Sequence, residues 1–246
     1  MKFFVLYVLF LAQITPSKSN EEELAVGPCQ FTSKPHVDKK KETARWMMHN
    51  IEWGVISTIS TREATKNMPF GNIYSFVDGT CDKSTGMPYL YLSDMDQSAK
   101  DLKGSTDVSL ALSEASTLTH QDGKMPFGVQ HTCSISASGI GDPENPPCAR
   151  LVVTGKFIPL HEGEDSVDDD ELSFAKRSLF QRHPSMADWP DDHSFFVGKI
   201  DIIDLWLIDI YGGATVIDVD EYFGLELQSD GTFASNDSST NLRTKI

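Results

Sequence analysis

"SFFVGKIDIIDLWLIDIYGG", residues 194–213, is the stretch whose reading decides the fold. It is rich in Ile, Val and aromatic residues, which favour extended chain, and it reads as one long bent strand or as a pair of strands. A segment of that kind needs partners, and the rest of the chain supplies them. "WGVISTIST" (53–61) reads as a strand and is followed by a turn around Lys66–Pro69. "FGNIYSFVDG" (70–79) alternates apolar and polar residues and ends in the turn signal Asp78-Gly79. "PYLYLS" (88–93), "TDVSLALSE" (106–114) and "ARLVVTGKFIPL" (149–160) complete the set.

Helices fall at the junctions. "VDKKKETARWMMHNIEW" (37–53) spaces Ala44, Met47, Met48 and Ile51 on one helical face, with Asp38 as its N-cap. Residues 94–104 make a short helix with Asp94 near its start and Gly104 at its end. Asp168 to Glu171 open a third, with apolar positions Leu172, Ala175, Leu179 and Phe180; Lys176, Arg177 and Arg182 lie towards its end and Pro184 stops it. Acid first and base last suits the helix dipole, so these charges call for no ligand. Six or so strands with a few junction helices argue for a small β-barrel or α+β roll, not βαβ repeats. Residues 115–147 are Gly/Pro-rich and irregular, with room for a short strand near 129–136, and "DEYFGL" (220–225) is a short terminal element.

The ends differ in kind from this middle. Residues 1–19 carry a lysine, an apolar run from Phe3 to Ala12 and then small polar residues, the order of a secretory signal peptide cleaved after Ser17 or Ser19. No later run reaches the ~18 apolar residues of a membrane span. Residues 20–37 are polar and extended, and 228–246 have the composition of a disordered tail. In an oxidising compartment the four cysteines allow two disulfides in three connectivities. Cys133 and Cys148 flank one loop and are the easiest to close, worth about 3 kcal/mol in the chain-entropy model. Cys29 and Cys81 then pair by default, or one stays free. Asn236-Asp-Ser238 is the only glycosylation tripeptide.

The net charge of −15, from 36 acidic and 21 basic residues, leaves no basic footprint for nucleic acid. "GIGDPE" (140–145) lacks the third glycine of a dinucleotide fingerprint, and no phosphate loop, H-E-x-x-H or G-x-S-x-G occurs. His183 and His193 with Asp191 or Asp192 have the residue types of a metal site, against the plainer reading of a helix-end and a loop histidine.

Six segments then carry a resemblance in order: "RWMMHNIEWGVISTIST", "MPFGNIYSFVDG", "MPYLYLS", "RLVVTGKF", "AKRSLFQRHPSMADWP" and "LWLIDIYGG". Together they resemble the CREG family of secreted and endolysosomal glycoproteins. The resemblance implies an α+β, mainly β fold over residues 38–227: an FMN-binding split β-barrel with peripheral helices, like that of pyridoxamine-phosphate-oxidase-like flavoproteins. It also implies a homodimer that restrains proliferation and promotes differentiation, in the extracellular space or the lysosome. Leu179, Phe180, Pro184, Met186 and Trp189 become packing residues. Members of the family are glycosylated on the domain itself, whereas this chain has no acceptor tripeptide between 38 and 224, which favours plain secretion.

Flavoproteins of this fold hold the FMN phosphate with basic residues around the second strand and a clamp after the third. Asn72 and Val77 stand at the first positions, and Asp96, Gln97 and Ser98 at the clamp, with only Lys100 cationic and Asp101 beside it. A carboxylate facing a dianionic phosphate is repulsive. The expectation is a barrel without FMN, keeping at most a vestigial pocket of Ser75, Tyr91, Ser93, Ser98 and Lys100. The function expected is that of a non-catalytic dimer acting through an unidentified protein partner or receptor. The alternative is an FMN-dependent oxidoreductase; direct repression at DNA is opposed by charge and signal peptide alike.

Overall fold

The computed structural model describes residues 34–119, 142–161 and 166–235, with Cys29, Thr32 and Cys133. The signal segment, Asn236 and most of 115–147 lie outside these. Seven strands form one antiparallel sheet: β1 (Trp53–Ile59), β2 (Pro69–Thr80), β3 (Lys83–Ser93), β4 (Asp107–Ser113), β5 (Arg150–Pro159), β6 (Phe195–Ile208) and β7 (Thr215–Ile217). The order is β3-β2-β1-β4-β5-β6-β7, and an added pairing of β3 with β6 closes the first six into a barrel.

The opening stretch is therefore one strand of 14 residues plus a short return. Its first part pairs with β3 (Tyr89↔Lys199, Ser93↔Phe195), its last part with β7 (Leu205↔Ile217), and β5 runs along most of its length. The register on β5 jumps between Thr154 and Gly155, leaving Ile203 as the extra residue of a bulge that bends the strand around the barrel.

Alternation along the strands fills the interior with Ile56, Phe76, Leu90, Leu110, Leu151 and Leu205, all buried. One end is plugged by α1 (Lys40–Asn50), whose Ala44, Trp46, Met47 and Met48 are buried too. The cap expected at Asp38 is not made. Lys39 holds the N-cap position without a side-chain bond, and Asp38 pairs instead with His36 at 2.5 Å. Below α1 lie α4 (Val219–Phe223), β8 (Leu225–Leu227) and β9 (Phe233–Ser235). The tail expected from residue 228 thus starts too early, because 228–235 complete a hairpin and bury Phe233. Arg45 ties this layer together. Its Nη1 donates to the carbonyls of Tyr222 (3.0 Å) and Leu225 (2.9 Å), and its Nη2 to Ser84 Oγ (2.9 Å).

Asp78-Gly79 is not the hairpin turn either. Cys81 and Asp82 make it, between Thr80 and its partner Lys83. Gly79 (φ +147) sits at an irregularity where a Cβ would lie 2.0 Å from the Lys83 carbonyl oxygen. Both disulfides form, Cys29–Cys81 and Cys133–Cys148. Two helices complete the layer around the barrel, α2 (Gln97–Gly104) and α3 (Ser166–Arg182). α3 covers β2 and β3 through Ala175 and Leu179, packed on Val77, Tyr89 and Val197 with Met186 beyond. Trp189 stacks on Tyr91 at 5.9 Å yet keeps 38% of its surface exposed.

Candidate functional site

The start of α2 is where the fold would clamp a phosphate. Asp94 does not cap this helix; Asp96 does, accepting from Ser98 N at 2.7 Å. Asn72 Nδ2 faces the Asp96 carboxylate at 3.4–3.5 Å and Ser98 Oγ at 3.4 Å. Tyr74 brings its hydroxyl to the same place, and burial together with Asp96 pushes its pKa up. The α2 N-terminus, ready-made for an anion, thus already carries the chain's own carboxylate.

The remaining positions are equally committed. Asp101 is buried, and its Oδ1 accepts from Thr61 N, Thr61 Oγ1 and Gln97 Nε2, each at 2.7 Å, while Oδ2 accepts from Thr58 Oγ1 at 2.9 Å. Burial would raise its pKa; the bonds from Thr61, Gln97 and Thr58 outweigh that and lower it. Asp101 therefore fastens α2 to the end of β1. Lys100 donates to the carbonyl of Met95 at 2.8 Å, and Val77 is packed under α3. These residues do not fit an FMN phosphate. A dianion would meet Asp96, and the one nearby cation is turned onto its own loop.

The five pocket candidates fall in three places. Ser75 lies opposite Trp53 on the β1–β2 ladder. Tyr91 stacks on Phe195 (4.9 Å), and Ser93 Oγ donates to the His193 carbonyl at 2.6 Å, so both serve the β3–β6 seam. Ser98 and Lys100 belong to α2. Nor do the histidines converge. His183 Nε2 meets the Phe76 carbonyl at 3.1 Å, and burial lowers its pKa, while His193 lies 3.7 Å from Asp192. Among the described residues the group of three metal-ligating side chains close enough to share an ion is Glu114, Cys133 and Cys148, and both sulfurs are in the disulfide.

A second feature lies on the barrel's outside and was not read from the sequence. The register places Ile73 beside Val55, Val55 beside Ala111, Ala111 beside Val152, Val152 beside Trp206 and Trp206 beside Val216. This apolar row crosses six strands, about 24 Å at the usual strand spacing. Ile73 and Val216 at its ends are 65% and 66% exposed. The row two residues along, Ser57, Ser109, Thr154 and Asp204, is polar, so the boundary is sharp. The signal was present in β6, where apolar residues occupy both faces, as a strand covered on both sides requires.

Comparison with known proteins places this geometry. The family model described as CREG, beta-barrel matches residues 35–224. Protein CREG1 of Gallus gallus is 34% identical over 194 residues, which cover 78% of this chain and 89% of that protein. Protein CREG1 of Homo sapiens is 30% identical over 194 residues, 79% of this chain and 78% of that protein. Among solved structures, a heme-binding protein from Mycobacterium smegmatis superposes with a TM-score of 0.53 at 18% identity, over 78% of this chain and 62% of that one. At that identity the likeness is one of fold.

Proposed function

The chain belongs to the CREG family, and from that premise we propose that it is a secreted or endolysosomal, non-catalytic homodimer acting through protein contacts in the control of growth and differentiation. The apolar row from Ile73 to Val216 is the observation that carries this reading. The outward face of an antiparallel sheet is ordinarily polar, and a contiguous apolar stripe bounded by polar residues marks a protein interface. A second copy is the partner it suits. Two copies each at −15 repel at long range, so their contact needs an uncharged centre such as this row. Sedimentation of the mature protein tests it: wild type runs as a dimer and Trp206→Glu as a folded monomer. A wild-type monomer at micromolar concentration overturns the reading.

The non-catalytic part rests on Asp96 and Lys100 as placed above. Titrating FMN against the protein, with flavin fluorescence as readout, gives no saturable quenching in the high micromolar range. Tight binding would overturn the clamp argument and revive the oxidoreductase alternative. The signal segment and the two disulfides support secretion, and N-terminal sequencing of secreted material starting at Lys18 or Asn20 tests it.

A further inference from the structure

A cleft of about 460 Å³ lies between the β2–β3 hairpin and α3, apart from both features above. Phe174 lines it, with Lys83 Nζ 5.0 Å and Arg177 Cζ 5.7 Å from the ring centroid. Among the described residues neither cation has a carboxylate within 4.0 Å, in a chain with 36 acidic side chains and 21 basic ones. Glu171 also lines the cleft but is already engaged. Its Oε1 accepts from Tyr89 OH at 3.0 Å and its Oε2 from Lys199 Nζ at 2.6 Å. Asp170 and Ser173 are exposed at the same cleft.

The local charges decide what fits. Lys83, Arg177 and Lys199 against Asp170 and Glu171 leave one positive charge, enough for a monoanion and too little for a phosphate dianion beside Asp170. A guanidinium with its donors free takes a carboxylate in two parallel bonds. Asp170 and Ser173 add acceptors for hydroxyl groups, and Phe174 adds an apolar surface for ring C–H groups. We propose that this cleft binds a sugar carrying one carboxylate, a uronic or sialic acid, free or at the end of a glycan.

The test is an NMR titration of the full mature protein with glucuronate, N-acetylneuraminate and a sialylated trisaccharide, alongside glucose and inorganic phosphate. Saturable shifts centred on Lys83, Phe174 and Arg177 with the acid sugars are expected, roughly tenfold weaker in Arg177→Ala and in Lys83→Ala. Both side chains are exposed, so these variants leave the fold intact, and Trp206→Glu leaves binding unchanged. Tighter binding of the trisaccharide than of the free acid identifies a terminal glycan residue as the source; equal binding identifies the free sugar acid. No saturable shift by about 50 mM, where even a very weak site would show, overturns the proposal. So does glucose or phosphate binding as well as the acids.

Discussion

His49 of α1 and Asp78 of β2 meet at 2.8 Å, both buried, and Arg182 of α3 reaches the same carboxylate at 3.7 Å. Three elements that are distant in sequence thus converge on one buried negative charge. Ser84 and Gly86 of β3 also donate to Asp78, which fixes the hairpin to the barrel end. The turn-forming look of Asp78-Gly79 hides this role.

Burial raises the Asp78 carboxyl, but His49 and then Arg182 and Ser84 more than offset it and hold it at about 2. A carboxyl lowered on folding contributes stability that is present above its unfolded value, about 3.9, and lost as pH falls through the folded value. The contribution is about 2 kcal/mol. Asp78→Asn should lose about 3–5 kcal/mol at neutral pH by leaving Arg182 buried and unpaired. Its urea midpoint should also fall less than wild type between pH 4 and pH 2. Parallel acid limbs for the two proteins would refute the assignment.

Asp96 is predicted to act through its cap. Asp96→Ala should cost about 1 kcal/mol and Asp96→Ser only a few tenths, since serine also accepts from the backbone of the first turn. Equilibrium unfolding in urea separates the two. Equal losses would mean that the carboxylate matters for its charge instead.

The disulfides should contribute unequally. The Cys29–Cys81 link closes 52 residues and the Cys133–Cys148 link 15, so the chain-entropy model gives about 4 and about 3 kcal/mol. Replacing each pair by alanine and comparing melting temperatures checks the order.

Phe233 is 6% exposed beside Arg45, whose guanidinium lies 5.1 Å from its ring. Phe233→Ala should cost about 3–5 kcal/mol, and a chain ending at 227 should be destabilised at least as much. A truncated chain with an unchanged melting temperature would show that the last hairpin is dispensable.

Most of the barrel was legible because strand alternation is a local signal. Val55 to Thr58, Leu110 to Leu112 and Leu151 to Val153 each show it. What escaped depends on distant contacts. Asp94 and Asp96 have equal claims as caps in sequence, and only the chain's path aims Asp96 at Ser98 N. Phe233 stands alone in a polar stretch, yet Asp230-Gly231 before it is a hairpin signal, with Gly231 at φ +77. Asp101 looked like a neighbour of Lys100 and is the fastening of α2, because Thr58 and Thr61 approach it from another strand's end. The apolar row needed the register, since each strand contributes only one residue to it.

The double duty of β6 has a consequence for how the molecule is made. β3 finds its second partner only in residues 195–199, which emerge long after β1 to β5 during synthesis. Until then β3 and β5 present unpaired edges, which invite wrong pairings. Contacts so far apart in sequence make folding slow. Closure is then a late, all-at-once step. The half-made barrel, with two open rims, is the species that chaperones must guard.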